Sequence, residues 1–244
     1  MATNLIKNLQ TTHPRGSPIG TADLQRMGIS PALAHEYVAS GWLQRLGRGV
    51  FMFAGDMLGR EACVRFLATK IEGLHVAGAT ALAWHGHRHN IAARETLCLH
   101  GVAKVVLPEW FTERYPARYG SGRLFDAQLA EGYGLAVLPE TPSGPLVSVP
   151  ERALLEMLSA VGVHQEAEEA RSIMESIRHV RTKEFAELLQ HCRMVKAARL
   201  CVLWSKELAL PWAAAAREAA AGKLGSGRWI KQMKNGKTLT LKKP

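Results

Sequence analysis

The sequence has no long hydrophobic run and no closely spaced cysteines. Although 47% of its 244 residues are hydrophobic, no stretch of about 18 apolar residues occurs, so we expect no transmembrane helix. The first residues, MATNLIKNLQ, lack the basic region and apolar segment of a secretory signal. None of the four cysteines belongs to a CxxC pair, which favours buried thiols in a reducing cytosol over disulfides. We therefore expect a cytoplasmic protein without a membrane partner.

Common catalytic and cofactor motifs are also missing. There is no P-loop, GxGxxG, GxSxG or HExxH. The one dense histidine cluster is His85, His87 and His89, and imidazole nitrogens are good metal ligands. However, no cysteine or carboxylate lies within several residues to complete a tetrahedral site, and the histidines suit a helix end equally well. We expect no catalytic residue, no metal and no cofactor, and the cluster is equally compatible with facing nucleic acid or solvent.

Acidic residues are scarce at both ends of the chain, which leaves two basic segments around a neutral body. Residues 1–55 carry five basic and two acidic side chains, and residues 222–244 carry seven basic side chains and no acid. The segment 56–221 holds 19 of each sign, so the net charge of +10 lies at the ends. Clustered cations attract phosphates, which indicates a nucleic-acid partner. A basic run also serves as a solvated, solubilising tail.

Two short helices with a turn between them are predicted near the N-terminus. Thr21 is predicted to be the N-cap of ADLQRM, and Gly28 supplies a left-handed stop. Ser30 then caps the helix ALAHEYVAS, with Pro31 at the first helical position, where proline is tolerated. The turn Gly28-Ile29-Ser30 gives helix-turn-helix spacing.

A basic β-hairpin is predicted directly behind these helices. WLQRL and VFMFA alternate and are rich in strand-forming residues, and Gly47-Arg48-Gly49 between them forms a tight tip. A hairpin in this place is the wing of a winged helix, and Arg48, with Arg45 beside it, is expected to project toward the DNA backbone or minor groove. The alternative is a structural subdomain that binds no DNA. Residues 1–55 are thus predicted to be a winged-helix DNA-binding domain.

The remaining chain, 56–244, is predicted to be a second, larger domain. Its segment 95–149 is rich in short β-like runs, namely TLCLHG, KVVLP, PARYG, GRLFD, GLAVLP and LVSV. The segment 150–221 is helical, and 222–244 is a basic tail. The fold class is therefore α+β: an N-terminal winged helix-turn-helix followed by a larger mixed α/β domain with a helical C-terminal half.

Two local features of this larger domain lead to expectations about side chains. Glu151 and Arg152, at the start of the helix PERALLEMLSAV, are expected either to pair with each other or to mark a helix start, with an acid near the positive end of the helix dipole. In the tail, Asn235-Gly236 favours a type I′ turn between the strands WIKQM and TLTL. Cations interleaved with Trp229 suit phosphate contact and stacking, but a hairpin that packs Trp229 and Ile230 on the body and leaves the lysines in water is equally consistent. The basic residues considered for contact are Arg228, Lys231, Lys234 and Lys237.

Several segments together resemble the AbiEi-type antitoxins, the transcriptional regulators of bacterial type IV toxin–antitoxin systems that act in abortive infection. The resemblance rests on WLQRLGRGVFMFAG, VAGATALAWHG, LPEWF and VSVPERALLEML, followed by helical sequence. It extends from the first helix to about residue 220 and continues loosely into the GRWIK tail.

The resemblance implies a DNA-binding autorepressor that is not an enzyme and that also acts as an antitoxin in phage defence. Its winged helix binds paired repeats in the promoter of its own operon cooperatively, which is compatible with a monomer in solution. The larger domain counters a nucleotidyltransferase-like toxin without a stable complex. By position in the motif, DNA contact falls on Ser30, on His35 and on the stretch from Gln44 through Arg45 to Arg48. Glu36 must then face away from phosphate.

Two other functions stay open from the sequence. One is a nuclease or nucleotide-using enzyme with a site in the 85–150 region that involves His85, His87 or Glu109. Dependence on a metal or a nucleotide would identify it. The other is a ligand-sensing transcription factor without a toxin, which the neighbouring gene would distinguish from an antitoxin.

Overall fold

The computed structural model describes residues 2–88, 95–232 and 238–241 and combines helices with short strands. The helices are α1 (Ala2–Thr12), α2 (Thr21–Arg26), α3 (Pro31–Ala39), α4 (Arg60–Ala68), α5 (Gly78–Trp84), α6 (Glu109–Thr112), α7 (Pro150–Ala160), α8 (Ala167–Ser176), α9 (Thr182–Gln190), α10 (Val195–Glu207) and α11 (Ala213–Ala219). The strands are β1 (Ile19–Gly20), β2 (Leu43–Gly47), β3 (Val50–Phe53), β4 (His75–Val76), β5 (Leu97–Gly101), β6 (Ala117–Ser121), β7 (Leu135–Ala136), β8 (Val147–Ser148), β9 (Trp229–Gln232) and β10 (Thr238–Leu241). The predicted α+β class is confirmed.

The N-terminal part is a winged helix-turn-helix, as predicted. β1, β3 and β2 form an antiparallel sheet in that order, and the β2–β3 hairpin is the wing. The turn between α2 and α3 uses Gly28 at φ +74°. The Ser30 hydroxyl accepts the backbone N–H of Leu33 at 3.2 Å, and Pro31 is the first residue of α3. The predicted cap of the second helix is therefore confirmed.

The start of α2 differs from the prediction. Gly20, not Thr21, is the N-cap, and the Asp23 carboxylate accepts the Gly20 N–H at 2.9 Å. Thr21 is already helical, and its hydroxyl donates to the carbonyl of Gly49 at 3.0 Å. The backbone N–H of Thr21 reaches the same carbonyl at 3.0 Å. Thr21 thus ties α2 to the tip of the wing instead of capping the helix.

A five-stranded mixed sheet lies in the larger part of the chain, in the order β6-β5-β4-β8-β7. β5 pairs with β6, and β4 with β8, in parallel, whereas β4–β5 and β7–β8 are antiparallel. α5 packs against α7 and β5. A Cβ added at Gly78, where φ is +52°, would lie 3.5 Å from the backbone nitrogen of Met157. That distance is ordinary contact, so it is the positive φ at the start of α5 that favours glycine at this position.

The C-terminal half is helical, as predicted, and α7 is its centre. α7 contacts α5, α9 and α10, and α11 packs on α9 and α10. Leu154, Leu155 and Leu158 of α7 have no exposed surface. Burial of such side chains contributes about 1.5–3 kcal/mol each, so α7 is a main source of stability for this half.

The wing sheet is shared between two hydrophobic clusters. Phe51 and Phe53 of β3 pack in the smaller cluster, with the residues of α1 to α3, whereas Met52 between them packs in the larger one. Alternate residues of a strand point to opposite faces, so β3 has a cluster on each side. Leu46 and Val50 also pack against the larger cluster. The wing is therefore fixed to the rest of the protein on one face.

Two predicted strands in the 95–149 segment were wrong. KVVLP is irregular and leads into α6, because Leu107 turns into the core while Val106 is 94% exposed. GRLFD forms no strand either. Leu124 and Phe125 insert into the core, and Phe125 makes only an isolated bridge with Cys192. Both segments are held in place by burial of their hydrophobic side chains, and neither has a neighbouring strand in the described part of the chain with which to form a ladder.

The expected pairing of Glu151 with Arg152 was also wrong. The Glu151 carboxylate accepts hydrogen bonds from the backbone and guanidinium of Arg181, at 2.8 and 2.9 Å. Arg152 instead donates to Glu156, one turn along α7, at 2.8 Å. Neighbouring side chains on a helix diverge, whereas those four residues apart share a face, which explains the exchange of partners.

The C-terminal hairpin is present, with β9 antiparallel to β10 and Trp229 opposite Leu241. The predicted turn at Asn235-Gly236 lies outside the described residues. The hairpin packs on α10. Among the described helices, none is long and apolar enough to cross a membrane.

Candidate nucleic-acid interface

α3 is held so that one of its faces is exposed. Ala34 and Tyr37 are buried in the smaller cluster and fix the helix on the body of the winged helix. His35 is exposed on the opposite side. Ser30, the residue before the first turn, is also exposed, although its hydroxyl already serves as the N-cap.

The exposed face of α3 includes two small side chains and carries no arginine or lysine. Ala32, His35 and Ala39 lie on it, together with Glu36. Small side chains permit close approach to a groove, and His35 supplies ring nitrogens for hydrogen bonds. Attraction to phosphates must therefore come from other elements.

The wing carries cations that have no acidic partner. Arg15 and Arg26 form salt bridges with Asp56 and Asp23, respectively. By contrast, the exposed wing residues Arg45 and Arg48 form no salt bridge within the part of the chain that the structure describes. Lys7 on α1 is also exposed and outside these salt bridges, so two of the three basic residues of the winged helix that the described salt bridges leave unpaired lie on the wing.

Two wing residues have defined local positions. Arg48 lies in the turn after β2, at the tip of the hairpin. Arg45 donates from Nε to the carbonyl of Gly47 at 3.3 Å, where the β2–β3 register shifts between Arg45 and Gly47. Gln44 precedes them on β2 and is exposed. The three predicted wing contacts therefore lie on one short, solvent-facing segment.

The wing rests on α6. A Cβ added at Gly47 would lie 3.2 Å from Cδ1 of Trp110, so the wing backbone lies directly on the indole ring. Trp110 is in turn edge-on to Phe66 of α4, with ring centroids 6.1 Å apart. Arg45 and Arg48 line the shallow cleft at this contact. Two acidic residues line it as well, Glu109 at the start of α6 and Glu113 just after its end. The position of the wing thus depends on the larger part of the protein, which sequence reasoning did not anticipate.

The predicted tail residues are only partly described. Arg228 is exposed, and Lys231 belongs to β9. Lys234 and Lys237 lie outside the described residues. Ile230 is 53% exposed, so it is not buried against the body, as the alternative of a packed hairpin with solvated lysines would require. The hairpin packs on α10 and the wing on α6, so the two basic segments belong to different parts of the protein.

The histidine cluster contacts the protein itself. His85 Nε2 lies 3.1 Å from the carbonyl of Ser148, and His87 Nδ1 lies 3.4 Å from the hydroxyl of Ser176. His89 is outside the described residues. Over the described ranges, no group of three or more His, Cys, Asp or Glu side chains is arranged to hold a metal ion.

A buried charged cluster around Glu156 was missed by sequence reasoning. The Glu156 carboxylate accepts hydrogen bonds from the Ser148 hydroxyl at 2.7 Å and from the backbone N–H of Gly78 at 3.1 Å. It also contacts His75 Nε2 at 3.0 Å and Arg152 Nε at 2.8 Å. These partners come from β4, α5, β8 and α7, so one carboxylate joins four elements. VAGATALAWHG and VSVPERALLEML, two segments that carry the family resemblance, meet at this cluster.

The electrostatics of the cluster favour an ionised carboxylate. Burial alone would raise the pKa of Glu156, but the charges of His75 and Arg152 and the hydrogen bond from His75 outweigh it and hold the pKa well below its usual range. His100 lies beside His75, with ring centroids 5.6 Å apart. Burial lowers the pKa of His100. The only available sequence signal was the i, i+4 spacing of Arg152 and Glu156 on α7.

Comparison with known proteins agrees with the observed architecture. Residues 2–93 match the family described as transcriptional regulator, AbiEi antitoxin N-terminal domain. Residues 94–242 match the family described as transcriptional regulator, AbiEi antitoxin, type IV TA system. No curated protein matches the chain. The solved RV2827C protein from Mycobacterium tuberculosis is similar with a TM-score of 0.62 and 15% sequence identity, over 93% of this chain and 82% of that chain, which shows a shared fold. With both family matches, the chain belongs to the AbiEi antitoxin transcriptional regulators of type IV toxin–antitoxin systems.

Proposed function

We propose that this protein represses its own operon by binding repeats in the promoter, and that it counters a nucleotidyltransferase-like toxin encoded beside it. The observation that carries the proposal is the capped helix α3 next to a wing whose arginines have no salt-bridge partner among the described residues. Regulators and antitoxins of this kind are usually not enzymes, and we propose no catalytic role and no cofactor. We place the protein in the cytoplasm, in phage defence by abortive infection.

In this proposal α3 lies in the major groove and the wing contacts the backbone. Ser30 and His35 contribute polar groups at the N-cap of α3 and in its N-terminal half, respectively. The N-terminal residues of a recognition helix commonly contact DNA. Gln44, Arg45 and Arg48 contact phosphates or the minor groove along the wing. Glu36 remains the one acidic group on the exposed face, and it must lie away from phosphate.

The basic tail has a supporting role in the proposal. Arg228, Lys231, Lys234 and Lys237 add non-specific attraction to a DNA segment or to a second protein molecule on neighbouring repeats. We propose a monomer in solution that binds cooperatively on DNA, and antitoxicity without a stable complex with the toxin. In the proposed division of labour, residues 1–55 bind DNA and residues 56–244 supply antitoxicity.

A promoter reporter combined with toxin rescue tests this division in the full-length protein. His35→Ala and Arg48→Ala are expected to derepress the promoter, because each removes an exposed group of the DNA-facing surface. The same variants are expected to rescue growth from the toxin as the wild type does. Arg171→Ala is the control, since Arg171 is paired with Glu207 on the helical half at 3.2 Å.

The proposal fails in distinguishable ways. Full repression by both variants at wild-type protein level would remove the DNA-binding role from α3 and the wing. If the variants lose both toxin rescue and repression, the winged helix is needed for both activities.

A further inference from the structure

A cleft opens at the β6 edge of the five-stranded sheet, apart from the winged helix. Cys98 lies opposite Arg118, and His100 lies opposite Gly120, in the parallel β5–β6 register. Residues two apart on a strand share a face, so these four positions line the same side of the sheet. The cleft has a volume of about 410 Å³ and lies between this face and the C-terminal part of α7 with the turn that follows.

One glycine keeps this face of the sheet open. A Cβ at position 120 would lie 2.9 Å from Cδ2 of His100, closer than carbon atoms normally approach. The imidazole therefore lies over the backbone of Gly120 and reaches the floor of the cleft. Burial lowers the pKa of His100, so the ring is neutral at pH 7 and has both a donor and an acceptor nitrogen.

The polar lining of the cleft is predominantly basic. The cations that line it are Arg118 and Arg123, with the imidazoles of His100 and His164 beside them, and Glu156 is the one carboxylate among the described lining residues. Because Glu156 is already held by four donors, its charge is neutralised within the protein. A cleft lined in this way favours an anionic ligand.

The two arginines still have donors to offer. Arg123 is exposed and forms no salt bridge or hydrogen bond with any other residue that the structure describes. Arg118 uses Nη1 to hold the carbonyl of His164, which leaves its other guanidinium N–H groups available. Two guanidinium groups lining one cleft suit a phosphate better than a carboxylate, because phosphate offers three oxygens that accept hydrogen bonds.

The opposite wall of the cleft is apolar. Val163 and Met194 line it and are 50% and 43% exposed, whereas Met157 behind them is buried in the core. Ser159 and Gln165 add polar groups at the same wall. A volume of this size encloses a small organic molecule rather than an inorganic ion alone, and mixed apolar and polar walls are typical of such sites.

We propose that this cleft binds a small phosphorylated compound of nucleotide size. Arg118 and Arg123 hold its phosphate, and the exposed apolar side chains of Val163 and Met194 cover the rest of the ligand. The site goes beyond the proposed repression and antitoxicity, and neither depends on it.

Thermal unfolding of the full-length protein with defined probes tests the proposal. The probes are inorganic phosphate, the four ribonucleoside 5′-monophosphates and the four corresponding nucleosides. At ten times its Kd, a bound monophosphate is expected to raise Tm by about 3–6 °C, since ligand binding to the folded state shifts the unfolding equilibrium. The nucleoside without phosphate is expected to give a smaller shift. Arg118→Gln and Arg123→Gln are each expected to weaken binding about tenfold or more, and Arg171→Gln is expected to leave it unchanged.

Three results would overturn the proposal. They are an unchanged Tm with every phosphate-bearing probe, an equal shift from a nucleoside and its monophosphate, and an unaltered Kd in Arg123→Gln. The last variant decides the matter even if Arg118→Gln loosens the turn at His164, because Arg123 is exposed and makes no contact that the fold requires.

Discussion

Replacing Glu156 with Gln is expected to lower the free energy of unfolding by about 3–5 kcal/mol, because it removes one partner of a buried charge cluster. Glu156 is 5% exposed and sits between His75 and Arg152. The neutral amide cannot balance the guanidinium of Arg152. Its NH2 group would also meet the donors of Ser148 and Gly78, which now point at carboxylate oxygens. Urea unfolding followed by circular dichroism measures the loss.

Glu207→Gln is the matched control for this prediction. Glu207 is also a helical glutamate paired with an arginine, but its side chain is 45% exposed. Exposed pairs contribute about 0–1 kcal/mol, so the control is expected to unfold nearly as the wild type does. Equal, small losses in both variants would show that the Glu156 cluster does not stabilise the fold.

The effect of Glu156→Gln is expected to depend on pH. The pKa of Glu156 is held below its ordinary value of 4.5 in the folded protein, against the effect of burial, by His75, Arg152 and His100. The stabilisation is therefore fully present above pH 4.5 and is lost as the pH falls below it toward the folded pKa. The stability difference between wild type and variant should accordingly narrow below that pH. A difference that stays constant from pH 7 to pH 3 would contradict this assignment.

Trp110→Ala is expected to cost about 3–5 kcal/mol, as is usual for a buried large aromatic residue. Trp110 is 7% exposed, contacts Phe66 and Phe111 edge-on, and lies under the wing backbone at Gly47. Removing the indole leaves a cavity beneath the wing. We therefore expect weaker binding to promoter DNA as well, even though α3 and the wing keep their sequence. Thermal unfolding and fluorescence anisotropy on the same sample separate the two effects.

Trp42→Ala is the control for the loss of a tryptophan. Trp42 lies just before β2 in the winged helix itself and is 47% exposed. Its removal leaves no buried cavity, so the free energy of unfolding should change far less than in Trp110→Ala. A larger loss of stability in Trp42→Ala would contradict the packing of the wing on α6.

Local sequence patterns predicted the winged helix well because its signals are short-range. The Ser30 cap, Pro31 at the first helical position and Gly28 at positive φ each act within one turn of the chain. Thr21 was misplaced for the same reason. Its hydroxyl is engaged by Gly49, 28 residues away, and no local pattern encodes that contact.

The cluster at Glu156 could not be predicted because its members are far apart in sequence. His75 and Glu156 are 81 positions apart and meet only when β4 packs beneath α7. Arg152 could be paired correctly from i, i+4 spacing, but its neighbour Glu151 offered a competing partner. The family resemblance identified both segments without indicating that they touch.

The attachment of the wing is the other feature that sequence reasoning missed. β3 is apolar at every position, and its two faces pack in different clusters. A cut after residue 55 would therefore remove Met52, Leu46 and Val50 from the larger cluster. For this reason the roles of the proposed domains are better separated by point variants in the full chain than by truncation.

The salt dependence of promoter binding is the measurement that bears on the wing most directly. Log Kobs against log salt falls by about 0.9 for each phosphate contact in duplex DNA. If Arg45 and Arg48 each neutralise a phosphate, the double variant Arg45→Gln/Arg48→Gln should bind more weakly and with a slope shallower by about 2. Arg171→Gln should keep the wild-type slope. A folded double variant with the affinity and slope of the wild type would contradict DNA binding through the wing.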